Sequence, residues 1–258
     1  MWKRDDDEFY IGYAPPMPLR LARFVRRVAI AITCGIVAWA VVLAAGHVAL
    51  EGGTFEFGHA TAFAGTVVEH PYPALRLDRP DSNAGPWPLL VAPGKHGAAA
   101  FFAGLDGRHV TLIGTRIQRG SNTMIEVKAG SIIVDERTDS RAATSNALDD
   151  QPSDRPVELT GEIVDSKCFL GVMVPGSGKT HKDCASLCLR GGIPPAFHVE
   201  DRSGNSSLLL MTGTDGESIG ARARDVVGEA VSVTGSVARR SGWIVLRTDP
   251  ASWRPVSR

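Results

Sequence analysis

The chain has 258 residues, 28 of them Lys or Arg and 28 Asp or Glu, so its formal net charge at neutral pH is zero. Apolar side chains make up 43% and charged ones 22%, which is the balance of a globular chain and excludes a disordered one. The missing basic excess excludes the field that a nucleic-acid binder needs. Four cysteines are too few to staple a scaffold of this length by disulfides alone.

The zero is a sum over unlike parts. Residues 1–27 carry six basic and four acidic side chains, residues 28–50 carry none, and residues 135–156 carry three basic against six acidic. Val28 to Leu50 runs without Asp, Glu, Lys or Arg, and about 20 apolar residues suffice to cross the hydrocarbon core. Arg20, Arg23, Arg26 and Arg27 stand before this span, and the first charges after it are Glu51 and Glu56. By the positive-inside rule, residues 1–27 are a cytoplasmic tail, 28–50 a transmembrane helix, and all that follows lies outside the cytoplasm. A signal-peptide core is shorter, about 7–15 residues. The expectation is an uncleaved single-pass anchor in a bacterial inner membrane, with its C-terminal part in the periplasm. Cys34 and Trp39 fall inside the span.

Beyond the anchor, residues 135–156 (DERTDSRAATSNALDDQPSDRP) are polar and turn-rich with no apolar period, the composition of a linker. They separate two modules, 55–134 and 157–258, which resemble each other. FAGTVVE (Phe63–Glu69) in the first answers to LTGEIVD (Leu159–Asp165) in the second. Val110, Leu112 and Gly114 recur in phase as Val231, Val233 and Gly235. Period-2 alternation punctuated by glycine predicts an all-β fold. The pattern is similar to oligonucleotide/oligosaccharide-binding (OB) folds, which are small Greek-key barrels, so two tandem OB-like barrels are expected. Gly65 and Gly114 lie closer in sequence than Gly161 and Gly235 do. The excess in the second module falls where the cysteines are, and a rigid β scaffold often carries its function on such insertions.

Gly161–Pro195 holds Cys168, Cys184 and Cys188 together with His181. Thr180 and Asp183 suggest a capping box and Gly191-Gly192 a stop, so the spacing predicts a helix over 181–190. His181, Cys184 and Cys188 then share one face, and Cys168 can approach it from the end of a strand. This stretch resembles uncharacterised bacterial membrane-anchored proteins carrying D-S-K-C-x-x-G, G-K-T-H-x-x-C-A-x-x-C and G-G-I-P-P on an OB-like domain. Here those runs are Asp165–Gly171, Gly178–Cys188 and Gly191–Pro195. The resemblance implies a shared site and no established activity.

Three readings of the site stay open. Outside the cytoplasm, thiols normally oxidise, so Cys168 with Cys184 or Cys188 can form a structural disulfide. Cys168, His181, Cys184 and Cys188 can instead complete a tetrahedral shell for zinc or another transition metal. Cys184, near His181, Lys179 and Lys182, can be a reactive thiol. No catalytic residue is assigned.

Other signals are weaker than they look. GSGKT near Pro175–Thr180 lacks the first glycine of a phosphate-binding loop, because position 173 is Met173, so no nucleotide is expected. Lys95 and His96 in PGKHG (Pro93–Gly97) offer a contact to an anionic group or a partner, with a solvated turn the simpler reading. His59, His70 and His109 are scattered and suggest no three-histidine metal site. Trp243 and Trp253 fit core and interface roles equally. The functional expectation is a non-catalytic accessory or interaction subunit of a bacterial membrane complex, touching the membrane and other membrane or periplasmic proteins. The alternative is a metal-binding or thiol-redox protein using the Cys/His cluster.

Overall fold

A computed structural model of the chain describes residues 17–49, 52–79, 85–135, 155–201 and 203–256. The expected linker lies almost wholly outside the described residues, as does most of the expected tail. The described chain divides into two compact units, one ending at Glu51 and the other running from Gly52 to Arg258.

In the first unit, helix α1 spans Leu19–Ala49. It begins earlier than the expected span and takes in the four arginines. Among the described residues, none of its most apolar stretch is buried. A stretch apolar all round its helix suits either a protein core or a lipid surface. Leu19–Gly46 has the length and composition of a membrane-crossing helix or of a signal sequence.

The second unit is mainly β. The strands of its first half are β1 (Thr54–Val68), β2 (Ala74–Leu77), β3 (Leu89–Val91), β4 (His109–Arg119), β5 (Asn122–Val127) and β6 (Ile133–Val134), with the short helix α2 (Ala99–Phe102) between β3 and β4. They form one sheet in the order β1-β2-β3-β5-β4-β6, and β1 also pairs with β4, closing a five-stranded barrel. All pairings are antiparallel except β3 with β5.

The second half has β7 (Val157–Asp165), helix α3 (Lys182–Arg190), β8 (Pro195–Glu200), β9 (Ser206–Thr212), helix α4 (Gly220–Ala223), β10 (Ala230–Arg240), β11 (Trp243–Thr248) and β12 (Arg254–Pro255). Its strands neighbour one another in the same order, β7-β8-β9-β11-β10-β12, with β7 also paired to β10. The one parallel step recurs at β9 with β11.

The internal repeat is therefore structural. Gly65 pairs with Val110, and Gly161 pairs with Val231. Gly114 pairs with Val127, and Gly235 with Thr248. Glycine is required at the first landmark because strands crowd there. A Cβ on Gly65 would lie 2.2 Å from the Arg76 carbonyl oxygen, and one on Gly161 would lie 2.4 Å from that of His198. The inserted residues fall between β7 and β8, over 166–194, where the first half has only 69–73 between β1 and β2.

Each half has its own core. Phe63, Val67, Leu75, Phe102 and Leu112 pack in the first, and Ile163, Phe197, Met211, Val231 and Trp253 in the second. A third cluster belongs to both: Tyr72, Leu89 and Met124 pack with Cys168, Phe169 and Trp243. Each such side chain contributes roughly 1.5–3 kcal/mol by leaving water. Polar groups cross the same boundary. The Tyr72 hydroxyl donates to Met211 O at 2.9 Å and accepts from the Ile219 amide at 3.2 Å. Trp243 Nε1 donates to Trp87 O at 2.9 Å. Trp243 is thus a boundary residue and Trp253 a core one.

Candidate metal centre

The insertion is built so that every residue of Asp165-Ser166-Lys167-Cys168 has its own buried task. Asp165 ends β7, pairing with Pro195 at the start of β8. One of its carboxylate oxygens accepts the Cys168 amide at 2.8 Å. The other lies 2.9 Å from His181 Nε2, and both side chains are buried. Ser166 Oγ donates to Pro194 O at 2.7 Å, tying the two ends of the insertion together. Lys167 is 1% exposed. Its ammonium meets Glu126 Oε2 at 2.5 Å, Ala92 O at 2.9 Å and Gly94 O at 2.7 Å, all from the first half. A buried charge is tolerable only when paired and hydrogen-bonded in this way. Cys168 then opens an irregular turn over Cys168–Val172. Arg119 holds that turn, donating to Phe169 O at 3.0 Å and stacking 4.2 Å from the Phe169 ring centroid.

Helix α3 supplies the other two thiols. It starts one residue later than expected, at Lys182, after a tight turn over Lys179–His181. The expected Thr180 capping box is not formed. His181 occupies the cap position without a side-chain cap bond, because its ring is turned inward to Asp165. Gly191 ends the helix, as expected, and its amide bonds Leu187 O. Ala185, Cys188 and Leu189 face the interior, while Cys184 is half-buried.

The four expected ligands fall into two overlapping sets that share Cys168. The Sγ atoms of Cys168, Cys184 and Cys188 all lie within 4.8 Å of one another, and so do the ligand atoms of Asp165, Cys168 and His181. The expected shell of three cysteines and one histidine thus resolves into a sulfur trio with His181 beside it, bonded to a carboxylate. The cysteines are free thiols, so none of the expected bridges is formed.

The sequence attributes the charge near Cys184 to Lys179 and Lys182, and the structure corrects this. Lys182 is bonded to Glu229, and Lys179 is exposed. The cation at the site is Lys95, from the PGKHG turn of the first half. Its Nζ lies 2.7 Å from Cys184 Sγ, 3.5 Å from Cys184 O and 4.0 Å from Cys188 Sγ. The turn is seated on the end of α3. The Gly97 amide donates to Gly191 O at 2.9 Å, and a Cβ on Gly191 would lie 1.8 Å from Lys95 O. Only glycine permits that approach. His96 is exposed, as expected.

The protons are unevenly held. Cys168 donates to Cys188, and this bond, with burial and the nearby Asp165 charge, pushes the Cys168 thiol up. The same bond, aided by Lys95 and opposed by burial, pulls the Cys188 thiol down. Contact with Cys184 raises Lys95, against a smaller effect of burial, so it stays an ammonium. The sulfur that is pulled down is 1% exposed, which is poor placement for a nucleophile that must meet a large substrate.

The remaining motifs have local partners. The Gly178 amide donates to a Glu162 carboxylate oxygen at 2.5 Å, so the protein's own carboxylate takes that loop amide. His109 pairs with Asp78 at 2.9 Å.

No protein-family model matches the chain, and no curated protein matches it in sequence. Function therefore rests on the geometry of the thiol site.

Proposed function

We propose that the protein is a membrane-anchored accessory protein that binds a thiophilic transition-metal ion, zinc being the simplest, through Cys168, Cys184 and Cys188. The observation that carries this reading is the convergence of three free sulfurs on one point. Thiolates about 2.3 Å from a tetrahedral ion stand about 3.8 Å apart, so sulfurs within 4.8 Å of one another need close by no more than roughly 1 Å. Three thiolates around a divalent ion leave one negative charge. Lys95 supplies one positive charge beside it, which lowers the cost of holding the cluster inside protein. His181 and Asp165 then act from outside the sulfur set, holding the Cys168 backbone in place.

The rest of the architecture fits this role. Both halves are OB-like modules, a reading supported by the repeated strand order with its single parallel step. The helix α1 is an uncleaved anchor with its N-terminus in the cytoplasm, and the sheets lie in the periplasm of a bacterial inner membrane. Anchoring raises the effective concentration of the site near membrane partners, which suits a protein that stores metal for another protein or passes it on.

The test is metal content. The full chain is purified in detergent under reducing conditions, supplied with zinc and passed through a desalting column. One zinc per chain is expected. Cys184→Ser and Cys188→Ser should each abolish retention, whereas His181→Ala should weaken affinity by about tenfold and leave stoichiometry unchanged. A protein that holds no metal, or Cys→Ser variants that retain it, would overturn the reading.

A further inference from the structure

The Lys95–Cys184 contact is chemically unusual. Lysines at protein surfaces pair with carboxylates. Among the described residues, the contacts of the Lys95 ammonium are Cys184 Sγ, Cys184 O and Cys188 Sγ. The Nζ–Sγ separation of 2.7 Å is ordinary for a nitrogen bonded to oxygen, but sulfur is the larger atom and an ordinary N–H···S contact is longer. The separation matches the span set by a single oxygen atom bonded to both. The pair is also held rigidly. Lys167 fixes Gly94 and Ala92, and the Gly97–Gly191 bond fixes the other side of the turn. Lys95 and Cys184 are the half-exposed members of the site, whereas Cys168 and Cys188 are buried. A small oxidant therefore reaches this pair first.

We infer that Lys95 and Cys184 form a redox-reversible covalent bridge, Nζ–O–Sγ, when the metal-free protein meets dioxygen. The Lys95 ammonium first gives a proton to solvent, and the resulting amine, the Cys184 thiol and one dioxygen then give the bridge and one water. Nitrogen and sulfur each lose two electrons and dioxygen accepts four; one oxygen atom becomes the bridge and the other leaves in the water. Reduction by two equivalents of a dithiol, each oxidised to its disulfide, supplies four electrons and returns the amine, the thiol and a second water. The bridge takes Cys184 out of any ligand set, so the same residue either holds metal or is locked to Lys95. The inference stands apart from the metal reading, because it needs only the amine–thiol pair. It also protects Cys184 from the irreversible steps of the oxidation ladder.

Intact-mass spectrometry of the full chain in detergent tests this. The protein is reduced, stripped of metal with a chelator, and held in air-saturated buffer. The expected result is a gain of about 14 Da, one oxygen in and two hydrogens out, reversed by dithiothreitol. Peptide mapping should then give one linked species containing Lys95 and Cys184. Lys95→Arg should not gain this mass, with its fold checked by circular dichroism. The inference is overturned if the wild type keeps its reduced mass. It is equally overturned by a loss of about 2 Da, as for a disulfide, or by a gain of only about 16 or 32 Da, as for sulfur acids. Persistence of the 14 Da gain in Lys95→Arg overturns it as well. Metal content of the reduced protein is read separately, so failure of the metal reading shows as absent zinc whatever mass develops in air.

Discussion

Lys167 shows how much of the site's order is carried by a single buried charge. It sits beside Cys168 in sequence, yet every group it bonds belongs to the other half of the unit. Lys167→Ala strands two carbonyls and removes the cation from Glu126, so a loss of about 3 kcal/mol is expected in urea unfolding. Because Lys167 also fixes the turn that carries Lys95, the variant should alkylate faster at Cys184. Tyr72 is the second such residue. Burial raises its hydroxyl from an ordinary 10.0 to about 12. A raised value means the folded state keeps its proton where the unfolded chain has lost it. The contribution is therefore complete below pH 10 and is lost as pH rises toward 12, by roughly 3 kcal/mol over that window. Tyr72→Phe should lower stability at neutral pH, since Met211 O and the Ile219 amide lose their partner, and should flatten the alkaline limb. An unchanged limb in Tyr72→Phe would show that other groups govern it.

At the scale of elements, helix α3 and the turn 92–97 act as one device. The helix was largely legible: its stop at Gly191-Gly192 and the shared face of Cys184 and Cys188 follow from local spacing. Its start was misplaced by one residue because His181 serves Asp165 across the insertion, a bond that helical periodicity does not encode. Lys95 was legible only as a basic residue in a glycine turn. Its partner Cys184 lies 89 positions away, and no local pattern links them. The contact between Gly97 and Gly191 can be tested directly. Gly191→Val drives a side chain into Lys95 O and should cost about 1–3 kcal/mol through displacement of the turn. Thermal unfolding checks the cost, and weaker zinc retention checks the loss of the Lys95 charge.

At the scale of the molecule, the strand repeat was legible because its landmarks are local. Gly65, Val110 and Gly114, and Gly161, Val231 and Gly235, hold equivalent registers in the two sheets. The shared core was not legible, because a boundary residue such as Trp243 has the same period-2 position as a residue of one module's own interior. Its consequence is mechanical coupling. Gly52–Arg258 should unfold in one transition rather than two, and Trp243→Ala should destabilise both sheets together by about 3–5 kcal/mol. Hydrogen exchange resolved by peptide checks this: protection should fall in β4 and β5 as well as in β9 and β11. The anchor is testable at the same scale. A C-terminal alkaline phosphatase fusion, active only outside the cytoplasm, should be active with α1 intact and inactive when residues 19–46 are deleted.

The most direct test of the metal centre is X-ray absorption at the zinc edge on the loaded full-length protein. A first shell dominated by three sulfurs at about 2.3 Å is expected, with Cys184→Ser losing one of them. A shell of nitrogen and oxygen alone would contradict a centre built on Cys168, Cys184 and Cys188.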